Sequence, residues 1–109
     1  MGHEVNDRIS LEMNRRIAAA LPHRPEWLRL ARDNLLRWKE RNRDAPGLVQ
    51  LYDEWLALLD LPVDEICAIL TAQTDEGQRL RTNSPFVGAL SPQEVWAIKR
   101  QAFDDSTAA

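Results

Sequence analysis

One cysteine, two histidines and four glycines leave this 109-residue chain short of the residue types that most catalytic and ligand motifs require. The lone Cys67 excludes an internal disulfide. Set in the apolar run Ile66-Cys-Ala-Ile-Leu70, it reads as a buried, inert thiol, and a reducing cytoplasm is the expected setting. His3 and His23 have no ligand-spaced Cys, His or carboxylate around them, so no metal centre is expected. Glycine is too scarce for a phosphate-cradling loop, and no cofactor is expected. With only six prolines as well, a β-rich or disordered chain is disfavoured. No apolar run reaches the length of a membrane span, and no basic-then-apolar leader opens the sequence.

What is present is a mixed, helix-patterned chain of ordinary globular composition, 44% hydrophobic and 28% charged. Its net charge of −3 conceals an asymmetry: residues 1–47 carry ten basic and seven acidic side chains, residues 48–109 four basic and ten acidic. Such a dipole can steer a partner, but it is too mild to establish nucleic-acid binding. The pairs Asp53-Glu54, Asp64-Glu65 and Asp75-Glu76 fall in the first turns of expected helices. There negative charge meets the positive end of the helix dipole, which explains them without catalysis. A non-enzymatic protein is expected.

Apolar spacing predicts five or six helices and no strand, hence an all-α, compact single-domain bundle. The expected helices cover about residues 7–21, 25–42, 48–59, 62–70, 75–81 and 92–103. Pro22 and Pro25 end the first, and Asp44-Ala-Pro-Gly47 breaks the second. Asp60, Thr74 and Ser91 are the expected caps of the last three. Residues 1–6 and 104–109 are expected to be flexible ends of a single domain over 7–103. Trp27, Leu35, Trp38, Leu51, Trp55, Ile66 and Leu70 are expected inside.

The segment with most local information is Arg79-Leu-Arg-Thr-Asn-Ser-Pro-Phe-Val-Gly-Ala-Leu-Ser-Pro-Gln-Glu94. Ser91 and Glu94 have the spacing of a reciprocal capping box, with Pro92 at the first helical position. The loop that holds Pro85 and Phe86 is thereby clamped between two helices. Trp96 and Phe103 fall beside Lys99 and Arg100 on the last helix, off the Val95, Ile98, Ala102 face. Apolar rings beside cations have the character of a protein-binding patch. The candidate partner-binding surface is therefore Arg79, Arg81, Ser84, Pro85, Phe86, Trp96 and Arg100. A purely structural account competes with it, in which Phe86 plugs the end of the bundle.

A DNA-binding regulator is the alternative. Between residues 15 and 43 nine basic side chains face three acidic ones, and Arg32, Lys39 and Arg43 share one stripe. Residues 63–81 also follow a helix-turn-helix rhythm, with Gln78, Arg79 and Arg81 placed to reach DNA. The turn lacks a glycine near Thr71, Gly77 stands where a branched apolar residue belongs, and Asp75 and Glu76 would face phosphates. The helix-turn-helix is at best degenerate, so nucleic acid is not the favoured partner.

The segments Leu35-Leu-Arg-Trp38, Glu54-Trp-Leu-Ala-Leu-Leu59, Gly77-Gln-Arg-Leu-Arg81 and Ser84-Pro-Phe-Val-Gly-Ala-Leu-Ser-Pro-Gln-Glu94 carry a resemblance over most of residues 10–100. They resemble small bacterial helical proteins associated with toxin–antitoxin-like two-gene loci. That resemblance implies a cognate partner protein, encoded by the adjacent gene, and an antitoxin or immunity-like role in which this chain neutralises a toxic enzyme. It supplies no catalytic residues.

Overall fold

Apolar residues recur along the chain at helical spacing, and each such stretch becomes a helix. The computed structural model describes the backbone from residue 2 to residue 108, and side chains from residue 4 to residue 105. Helix α1 spans Gly2–Ala20 and passes through a short 3-10 turn at Leu21–His23 into α2, Glu26–Arg41. Helices α3 (Pro46–Leu58), α4 (Val63–Thr71), α5 (Asp75–Thr82) and α6 (Pro92–Ala108) follow. No strand occurs among the described residues. The radius of gyration is 14.3 Å, near the ~13 Å expected of a compact domain of this length. The chain is an all-α single-domain bundle.

Helix α1 is the central element, packing along α4, α6 and α5, while α2 and α3 pack against each other as a hairpin. Trp38 and Tyr52 join the hairpin with ring centroids 5.9 Å apart and planes tilted by 52°, within the usual separation of interacting aromatic rings. Trp55, fully buried, ties α3 to α5 by donating its indole N–H to the Leu80 carbonyl at 3.1 Å. Leu35, Trp55, Ile66 and Leu70 form the expected core. Trp27, Trp38 and Leu51 pack against its edge and are only half-buried. Cys67 is likewise half-buried, its Sγ donating to the Ala18 carbonyl at 3.2 Å. Burial first, and the Asp64 charge second, push its thiol pKa up.

Three local expectations are corrected. Asp60 does not cap α4: Pro62 holds that position without a side-chain cap, and the Asp60 carboxylate accepts from Arg32 at 2.8 Å. Helix α1 begins at Gly2 rather than near Asp7, and Val5 packs against the core. Helix α6 continues past Phe103 to Ala108, because Asp105 accepts from Arg8 of α1 at 3.0 Å and from Gln101 at 2.9 Å. Met1 and Ala109, in the two segments expected to be flexible, lie outside the described residues.

Candidate functional site

The segment between α5 and α6 has the clamps that its residues imply. Thr74 opens α5 by accepting from the Gly77 amide at 3.0 Å. Ser91 Oγ accepts from the Glu94 amide at 3.1 Å, and the Glu94 carboxylate accepts from the Ser91 amide at 3.3 Å. Between them, the Ala89 amide donates to the Phe86 carbonyl at 3.1 Å, closing a turn with Gly88 at φ +93°. Positive φ at the third residue is what a type II turn demands, and glycine meets it without strain. Val87 is left at the tip, 64% exposed.

Two asparagines hold this loop to the bundle. Asn34, buried on α2, donates to the Pro85 carbonyl at 2.9 Å and the Val87 carbonyl at 3.0 Å. Its own oxygen accepts from Arg37 at 2.5 Å. Asn14, buried on α1, donates to the Ser10 carbonyl at 2.7 Å and accepts from the Ser84 hydroxyl at 3.1 Å. A cleft of about 670 Å³ opens between α1, α5, the loop and α6. Met13, Ile17, Phe86, Leu90 and Val95 make it apolar, while Asp7, Asn14, Arg81, Ser84 and Lys99 add polar groups.

The seven residues of the expected partner surface divide into two groups. Pro85 and Phe86 are buried, Phe86 with 2% exposure, so they complete the core instead of facing a partner. Arg81 is also buried: its Nη1 donates to the Leu70 carbonyl at 3.4 Å and to the Ala72 carbonyl, closing the end of α4. Ser84 is half-buried at the cleft floor. Arg79 is exposed and occupied, bridging Glu76 of its own helix and Glu54 of α3, the latter at 2.7 Å. Only Trp96, 66% exposed, and Arg100 present themselves outward without an ion pair or hydrogen bond to any described residue. Phe103, 57% exposed, stands seven residues beyond Trp96 on the same face of α6.

The alternative basic stripe is neutralised within the fold. Arg32 pairs with Asp60 at 2.8 Å, Lys39 with Asp53 at 2.7 Å and Arg43 with Glu40 at 3.0 Å. All are exposed pairs, worth little in stability, but each gives a cation a carboxylate before any phosphate arrives.

Family models, curated proteins and solved structures yield no match to this chain. The site is therefore read from its own geometry. Sequence reasoning missed Asn34 and Asn14, and noted Lys99 beside Trp96 without placing it at a site. A signal existed for Asn34, since it falls between Ala31 and Trp38 on the buried face of α2. Asn14 likewise falls on the buried face of α1 with Ile17 and Ala18, but its partner Ser84 lies 70 residues away.

Proposed function

We propose that this chain is a non-enzymatic protein-binding module, an antitoxin or immunity-like partner that restrains a bacterial enzyme encoded beside it. The observation that carries the reading is the outer face of α6, where Trp96 and Phe103 are two-thirds and more than half exposed, with Arg100 between them. Large rings normally retreat from water, and Trp and Arg are the residue types that dominate binding energy at protein interfaces. A ring pair two turns apart on one rigid helix is preorganised, so little ordering cost accompanies association.

Val87, 64% exposed at the tip of the loop before α6, lies on the cleft and not on this face. The loop is held by Asn34 and by the capping box of α6, which favours a lock-and-key contact over a folding-on-binding one. Asp104 and Asp105 follow at the far end of the same helix. A partner face with an apolar groove and acidic groups near Arg100 fits this surface.

Co-expression with the product of the neighbouring gene tests the reading. A complex that survives size-exclusion chromatography, and that Trp96→Ala weakens by about tenfold or more, supports it. Failure of the two chains to associate, or a complex indifferent to Trp96 and Arg100, rejects it. A mobility shift with duplex DNA at low salt addresses the regulator alternative, because phosphate contacts give binding a steep salt dependence.

A further inference from the structure

Arg81 is 8% exposed, and among the described residues no carboxylate forms an ion pair with it. A buried cation is costly unless it is paired and hydrogen-bonded. Here both hydrogen bonds are made by one nitrogen, Nη1, to backbone carbonyls. Nε and Nη2 take no partner, yet no buried side-chain nitrogen or oxygen in the described chain lacks one. These two nitrogens are therefore not fully enclosed, and Arg81 lines the 670 Å³ cleft.

The charges around the cleft are Asp7 on α1, Arg81 on α5 and Lys99 on α6. Two cations against one carboxylate leave it net positive. Burial, more than any neighbouring charge, pulls the Arg81 pKa below its ordinary value; Asp7 opposes that through space without reaching ion-pair distance, and Arg15 adds to it with a like charge. Met13, Ile17, Phe86 and Leu90 supply the apolar part of its lining. The volume falls inside the ~300–1,000 Å³ range of small-molecule sites, which characteristically combine apolar walls with a few placed polar groups.

From this we infer that the cleft is a binding site for a small amphipathic carboxylate. Its head pairs with the two unpartnered nitrogens of Arg81, and its apolar chain lies along Met13, Ile17, Phe86 and Leu90. Arg81 is suited to the task because its guanidinium is already fixed by Nη1, so pairing a carboxylate immobilises little more of the protein. Lys99 at the rim adds attraction for the anion. The site is separate from the outer face of α6, which bears Trp96, although Lys99 belongs to the same helix.

The test is a titration of the full chain with sodium octanoate, followed by amide chemical shifts and calorimetry. 1-Octanol serves as the uncharged control and octyl phosphate as the second anion. Saturable one-to-one octanoate binding is expected, with shifts confined to cleft residues such as Met13, Gly88 and Val95. Octanol should bind about tenfold more weakly or worse, the head group's charge-assisted pairing being lost. Tighter binding of octyl phosphate than octanoate would overturn the carboxylate assignment. Ser10→Phe, which fills the cleft without touching the Arg81 carbonyl contacts, should abolish binding. Arg81→Lys keeps a donor for Ala72 and should weaken octanoate without changing octanol. Trp96→Ala should leave octanoate binding intact while weakening a protein complex, which separates the two sites. Equal affinity for octanol and octanoate, persistence of binding in Ser10→Phe, or no saturable binding of octanoate would overturn the inference.

Discussion

Gly77 lies directly against Ala72: a Cβ at Gly77 would overlap the Ala72 carbonyl oxygen and stand 2.9 Å from the Ala72 Cβ. Arg81, one helical turn further along α5, donates to that same oxygen. The missing side chain and the guanidinium thus act on one carbonyl. The first lets α5 come close to the end of α4, and the second satisfies the carbonyl that the close approach buries. This contact also fixes the backbone that orients Arg81 at the cleft.

Gly77→Ala is expected to destabilise the protein. Helix propensity alone would favour alanine by about 0.8–1 kcal/mol, whereas forcing a methyl into a packed contact costs about 1–3 kcal/mol. The obstacle is backbone rather than a flexible side-chain end, so the steric cost prevails. Urea denaturation of the two proteins decides it. A variant as stable as wild type would mean that α5 can shift away from Ala72 freely.

How much of this was legible beforehand depended on whether the information was local. The capping box of Ser91 and Glu94, the Thr74 cap and the core positions Leu35, Trp55, Ile66 and Leu70 rest on spacings within one helix, and the structure has them. The burial of Arg81 rests on carbonyls nine and eleven residues away, and on the close approach that Gly77 permits. Phe86 left both possibilities open, since a clamped loop can present a ring or bury it. Pairing from Asn34, 51 and 53 residues away, pulls the loop inward and decides for burial. Asp60 misled because an aspartate just before a proline-started helix resembles a cap, while Arg32 competes for the same carboxylate.

Asn34→Leu should cost about 1–3 kcal/mol, the usual consequence of leaving a buried polar group without its partner. Leucine fills similar space, but the Pro85 carbonyl, and in part that of Val87, would lose its donor. Hydrogen exchange gives the more specific readout. The Ala89 amide, which closes the turn onto Phe86, should exchange faster in the variant, while amides of α4 keep their relative protection. Unchanged exchange at Ala89 would show that the loop does not depend on Asn34.

Stability should carry a small acid-dependent component from Glu76. Its hydrogen bond from Arg79 holds the carboxyl below the ordinary glutamate range, and the Arg79 charge acts in the same direction. A group whose folded pKa is lowered contributes stability above its unfolded value, about 4.3. It loses that contribution as pH falls through the folded value. The difference in melting temperature between wild type and Glu76→Gln should therefore be largest near neutral pH and close on acidification below about pH 4. The effect is modest because the pair is exposed and screened. A gap that stays constant from neutral pH to pH 3 would count against this assignment.

Phe86 and Trp96, ten residues apart, should respond in opposite ways to truncation. Phe86 has 2% exposure, inside a loop pinned by Asn34. Its replacement by alanine removes a buried ring and leaves a cavity, at a cost of about 3–5 kcal/mol. That is a large share of the roughly 5–15 kcal/mol that holds a domain of this kind together. Trp96, 66% exposed, has little buried area to lose, so Trp96→Ala should alter stability by no more than about 0.5 kcal/mol. Its effect should fall on the partner complex, weakening it by about 1–3 kcal/mol if the ring is an interface anchor. Thermal melts of the two variants, with binding measured on Trp96→Ala, check both halves. A Trp96 variant that melts several degrees lower would place its ring in the fold, and the outer face of α6 would lose its claim as a docking surface.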